Sequence, residues 1–205
     1  MFLNTTTKAK KTKIQRYQAA LRSPVRGLWS GVLDRGQFRQ SMFNTIETGI
    51  IDAWNAGAKE CGIAPDELSE DELTARDERI VQERSHVSEF GQAIQEGSRA
   101  NGGKLGPLFG RLDLWTNRYR DVNNEAKVMA CKDQKLIWIL GPTEEHCRTC
   151  PRLNGRVKRG TFWESKGIRP QNPPNGLLEC GGWNCLCELR PTDAKISRGP
   201  LPRTP

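Results

Sequence analysis

Five cysteines in the last third of the chain carry the residue types and spacings that could do chemistry. Cys147 and Cys150 form a Cys-x2-Cys pair, and Cys180, Cys185 and Cys187 follow as Cys-x4-Cys-x-Cys. A Cys-x2-Cys turn lets two thiolates converge on one ion, and a second pair from elsewhere completes a tetrahedron. Five candidates compete for four places. Cys-x-Cys is an unusual chelate spacing, so Cys180 with Cys185 is the preferred second pair and Cys187 the spare; His146 is the alternative nitrogen donor. The expected ion is a structural zinc. Disulfides are the alternative. A thioredoxin-like redox pair is disfavoured, because Leu153-Asn154-Gly155 ends at once any helix that Pro151 could open.

Other chemistry finds no residues to carry it. There is no glycine-rich phosphate loop, no His-x3-His and no paired-carboxylate motif. His86 lies among charged residues of a helical pattern and reads as solvated. An ion held by four thiolates has no open position for water. The expectation is a non-enzyme.

The elements that must position the cysteines are mostly helical. Phe38, Met42, Ile46, Ile50 and Trp54 recur at helical spacing over Gln37 to Glu60, and Gly62 with Pro65 ends that pattern. Ser69 to Glu72 is a capping box. It opens a second helix running to about Ser98, with Leu73, Ile80, Val87 and Ile94 on one face, widened by Val81 and Phe90. Asn101-Gly102-Gly103 breaks it. A third helix starts near Pro107 and carries Leu108, Leu112, Trp115, Tyr119, Val122, Ala126 and Met129. Cys61 and Cys131 sit singly in these patterns, as buried small hydrophobes. Leu136 to Leu140 reads as a buried strand. The expected class is α+β: an elongated antiparallel helical scaffold followed by a small Cys-rich, zinc-ribbon-like β module. The divisions are a basic arm over 1–35, a helical domain over 36–132, the module over 133–191 and an extended tail over 192–205.

Charge singles out the arm. The 205 residues carry a net charge of +8, and residues 1–40 hold nine Lys or Arg against Asp34 alone. Lys8, Lys10, Lys11, Lys13, Arg16 and Arg22 are candidate contacts to a polyanion or an acidic protein surface. Ile14, Tyr17, Ala20 and Leu21 give the arm an apolar face. It is therefore expected to be mobile when free and to order as a helix on a partner protein, with Ser23-Pro24 breaking it from the body. No stretch is long and apolar enough to span a membrane, and Met1 to Lys13 lacks the apolar core of a secretory signal.

The cysteine module resembles a known family. Trp138 is followed by Gly141-Pro142-Thr143-Glu144-Glu145-His146-Cys147-Arg148-Thr149-Cys150, then Leu153-Asn154-Gly155-Arg156-Val157, then Leu178-Glu179-Cys180-Gly181-Gly182-Trp183-Asn184-Cys185-Leu186-Cys187. This arrangement is similar to the C-terminal module of tailed-phage head morphogenesis proteins, the phage Mu F-like minor head proteins. Many members close with His-Pro-x-Cys-Arg-Cys; here Cys180 stands in for that His, and Leu186 falls where the Arg would be. The resemblance covers residues 136–191. It implies a structural minor capsid protein of the virion head, assembled in the host cytoplasm and placed near the portal or the capsid interior. Its partners would be portal, major capsid or scaffold proteins, with packaged DNA near the basic arm. A zinc-ribbon nucleic-acid-binding or regulatory protein is the alternative.

Overall fold

The computed structural model describes residues 11–143, 145–183 and 185–201. It is α+β: a helical body followed by a small antiparallel sheet and a cysteine cluster. Helices α1 (Lys13–Ser30), α2 (Arg35–Glu60), α3 (Glu70–Ser85), α4 (Val87–Glu96) and α5 (Leu105–Ala130) form the body. Thr12, Asp34 and Ser69 each accept from the backbone three residues on, while Gln15, Gln37 and Glu72 return the bond to the cap residue. These reciprocal caps satisfy amides that a helix start leaves without partners.

The long central helices α2 and α5 pack on each other, and α1, α3 and α4 lean on them. Phe38, Met42, Ile46, Ile50 and Trp54 of α2 meet Leu108, Leu112, Trp115 and Val122 of α5 in one buried core. Close approach needs a missing side chain at Gly57: a methyl there would sit 2.3 Å from the Asn123 carbonyl oxygen.

Three expectations change. The arm's apolar face needs no partner protein, because Tyr17, Leu21, Val25 and Leu28 are buried in this same core. Pro24 does not break α1. It removes one backbone bond, but its ring is buried and the carbonyl it leaves belongs to exposed Ala20. The second helix is two helices, interrupted at exposed His86, which lets Val87, Phe90 and Ile94 of α4 turn into the core while Val81 of α3 stays 69 % exposed. Lys8 and Lys10 lie outside the described residues.

After α5 the chain forms strand β1 (Lys135–Ile139), helix α6 (Thr149–Leu153), strand β2 (Val157–Arg159), helix α7 (Gly160–Ser165) and strand β3 (Glu188–Pro191). β1 is central, with β2 and β3 antiparallel on either side; Ile137 faces Val157 on one flank and Arg190 on the other. Alternation puts Leu136 and Trp138 on the buried face with Trp163, Leu178 and Leu189. Both sheet edges are covered. Ser197 bonds Val157 through its amide and its hydroxyl, and Lys158 Nζ donates to the carbonyls of Ser197 and Gly199, so this part of the tail lies along β2 instead of trailing away. On β3, the Asn124 side chain accepts from the Leu189 amide (2.9 Å) and Lys127 Nζ donates to the Leu189 carbonyl (3.0 Å). Edge groups left open would template pairing with another chain.

Charge also ties the module to the helices. Asp121 of α5, fully buried, pairs with Arg118 at 2.8 Å and with Arg169 at 3.1 Å, and Arg79 of α3 lies 3.9 Å away. Glu125 takes Arg79 and Arg169 (2.7 and 3.3 Å), and Glu83 takes Arg118 (2.7 Å). Burial pushes the Glu83 carboxyl up, against the pull of Arg118.

Cys61 and Cys131 are not single buried thiols. They form a disulfide with Cα atoms 5.3 Å apart, joining the C-terminal ends of α2 and α5 beneath the sheet.

Two substitutions test this architecture by chemical denaturation. Asp121→Ala leaves three guanidinium groups facing a missing charge and is expected to cost about 3–5 kcal/mol. Gly57→Ala drives a methyl against backbone and is expected to cost about 1–3 kcal/mol.

Candidate metal centre

Cys147 precedes α6 and Cys150 lies in its first turn. The strand before them is held in place by the turn after them: Gly155 donates its amide to the Trp138 carbonyl (2.9 Å), and the Trp138 amide donates to Arg156 (3.0 Å). Asn154 Oδ1 accepts from the Leu140 amide (3.2 Å). The segment carrying Cys180 is fastened to the same turn. Glu179 accepts from the Arg148 amide and pairs with its guanidinium at 2.7 Å, and the Glu179 amide donates to Thr149 Oγ1 at 3.1 Å. These bonds carry Cys180 across to Cys147 and Cys150.

Cys185 and Cys187 arrive from the other side on the approach to β3. Gly141 lets that strand come near: a methyl on it would meet the Leu186 carbonyl at 2.2 Å. The buried Gln171 donates its amide to the Cys185 carbonyl.

All five cysteines therefore converge. The sulfurs of Cys147, Cys150 and Cys180 lie within 4.8 Å of one another, and so do those of Cys150, Cys185 and Cys187. Cys150 Sγ is 3.3 Å from Cys147 Sγ and 3.9 Å from Cys185 Sγ. Cys150 is thus the hub of both groups. Cys187 is no bystander: it shares the second group with Cys185. His146 belongs to neither group; its ring nitrogens lie 3.2 and 3.4 Å from Thr143 Oγ1.

The thiols divide their protons unequally. Cys180 is pulled well below the usual thiol range by hydrogen bonds from Cys150 and Cys185, helped by the Gly182 amide. Cys187 is pulled down to about 3 by the same two donors and the Gly141 amide. Cys150 is pushed up because it donates to Cys180, Cys185 and Cys187. Thiolates supported by backbone amides, with further thiols beside them, are a soft donor set that can hold a metal ion.

The described arm residues do not converge on one another as the cysteines do. Lys11 lies just before α1, and Lys13, Arg16 and Arg22 lie on its exposed side; Lys13 sits 3.8 Å from Asp52, and Arg22 stacks on the Phe109 ring. Sequence reasoning missed Gln171 and the Arg148–Glu179 clasp. Only the adjacency of Arg148 and Glu179 to cysteines could have drawn notice to that pair. No known protein family, curated protein or solved structure matches the chain.

Metal binding should depend on the hub. The Cys150→Ser variant is expected to lose the ion entirely by inductively coupled plasma mass spectrometry. Cys185→Ser and Cys187→Ser should each retain it, since either can supply the last ligand. The double variant should lose more affinity than the roughly 10–100-fold typical of a lost outer-shell partner. Acidification should release the ion as the thiolates take up protons.

Proposed function

We propose that the chain is a non-catalytic structural protein of a tailed-phage head, in which a zinc ion held by four of the five clustered cysteines stiffens a zinc-ribbon-like module. The observation that carries this reading is the convergence of the resembling segments. The stretches around Trp138, Cys147–Cys150, Asn154–Gly155 and Cys180–Cys187 are bonded to one another in one small unit. Zinc suits the donors, being a d10 ion that accepts thiolates without a redox change and prefers four ligands. The thiolates would bind it, and the amides of Gly141 and Gly182 would support the sulfurs.

A structural role agrees with the way the module is built into the helical body. Its sheet edge, its ion pairs and its core all include residues of α5. The head-protein reading adds the setting, near the portal or the capsid interior and among other head proteins. Mass spectrometry of purified proheads and virions of the encoding phage should find the chain in both, at low copy number. Its absence from both would overturn the reading. Duplex binding with clear sequence preference would instead establish the regulatory alternative, because phosphate contacts alone carry no sequence information.

A further inference from the structure

A second cavity borders the cysteine module, with Cys187 in its wall. A cavity of about 750 Å³ opens between the start of α1, the α5 face bearing Tyr119, Arg120 and Asn123, and the segments at Gly141 and Leu186 to Arg190. Three cations from three different elements line it: Lys13 of α1, Arg120 of α5 and Arg190 of β3. Arg16, one turn along α1, is exposed and close enough to act on Tyr119.

Arg120 is the anomaly. Its guanidinium is partly buried and donates to a neutral group, Asn117 Oδ1 at 3.0 Å. No carboxylate of the described residues lies within ion-pairing distance of it. Burial lowers its pKa and no acidic group pulls it back. The half-buried arginines of the neighbouring ion-pair cluster contrast with it: Arg79, Arg118 and Arg169 all meet Asp121, Glu125 or Glu83. A guanidinium withdrawn from water without a counter-charge is unfavourable unless a ligand supplies the charge.

The acids near the cavity are few and engaged. Glu188 pairs with Arg190, and Asp52 is the distant partner of Lys13. Asp113, in the adjoining cleft that Arg120 also lines, accepts from Gln18. Lys13 and Arg190 thus have carboxylate partners, whereas Arg120, the most buried of the three cations, has none among the described residues.

We propose that this cavity binds a phosphate group, with Arg120 as its principal contact and Lys13 and Arg190 closing on it. A planar fork of donors fits phosphate oxygens better than a point charge does. The phosphate could belong to a nucleic-acid strand or be free in solution, and the two sources separate in the assay. The inference does not rest on the head-protein reading, and absence of the chain from particles would leave it standing.

The full-length, metal-loaded protein is titrated with a fluorescein-labelled single-stranded oligodeoxynucleotide, and separately with inorganic phosphate followed by thermal shift. Variants are Arg120→Gln, Arg120→Lys and the control Arg39→Gln at an exposed position of α2. Circular dichroism checks that each variant folds. For the probe that binds, Arg120→Gln should weaken affinity by about tenfold to a hundredfold, as loss of a charge-assisted bond does. Arg120→Lys should recover part of it, and Arg39→Gln should match the parent. Binding of the strand identifies a nucleic-acid phosphate; binding of inorganic phosphate without the strand identifies a free one. If neither probe binds, or if Arg120→Gln binds as the parent does, the proposal is wrong.

Discussion

The last turns of α5 present polar groups where a helix of a simple bundle would present apolar ones. Asp121, Asn124 and Lys127 are all nearly or fully buried. Each would be costly there without a partner, because a desolvated charge or amide loses its water and must recover the bonds elsewhere. The C-terminal module supplies a partner to each: Arg169 for Asp121, beside Arg118 of α5 itself, and the two backbone groups of Leu189 for Asn124 and Lys127. Lys127 also pairs with Glu60 at 2.9 Å, so the same contact reaches the end of α2. The helical body and the module are therefore mutually dependent, since each leaves buried polar groups that the other satisfies.

This dependence explains the shape of the second core. Leu136, Trp138, Leu153, Trp163 and Leu189 pack with Val128 and the Cys61–Cys131 disulfide at the ends of the long helices. The sheet has only three short strands, so its stability rests on the packing of its hydrophobic face. It is supported on one side by α5 and on the other by the thiol cluster. The disulfide and the cysteine hub lie in the same core, so two kinds of sulfur chemistry brace it, one closing the helix ends and the other gathering the loops.

Much of the helical part was legible because periodicity and capping act locally. The stripe from Phe38 to Trp54, the Ser69–Glu72 box and the stripe from Leu108 to Ala126 all describe faces of single helices, and those faces are buried. The failures share one cause. Pro24 reads locally as a break, although one missing backbone bond costs little when its carbonyl faces solvent. The apolar face of Ile14, Tyr17, Ala20 and Leu21 points to a partner protein when read alone, although the core that covers Tyr17 and Leu21 belongs to distant stretches of the same chain. Val81 and Phe90 were put on one face, because nothing local showed that the helix would interrupt at His86.

The sequence by itself determined which residues could be ligands and where helices would start, because thiol chemistry, cap geometry and helical spacing are properties of neighbouring residues. It also determined that a strand and tight turns would flank the Cys-x2-Cys pair. Tertiary structure alone decided which distant groups meet. It joined Cys61 to Cys131 across 70 residues, made Cys150 the hub of five thiols, and withdrew Lys127 and Asp121 from water. Those outcomes follow from how α2 and α5 cross and where the sheet docks on them. Contacts between residues so far apart leave no periodic trace in the chain, because each half of the pair looks ordinary until the other half is placed beside it.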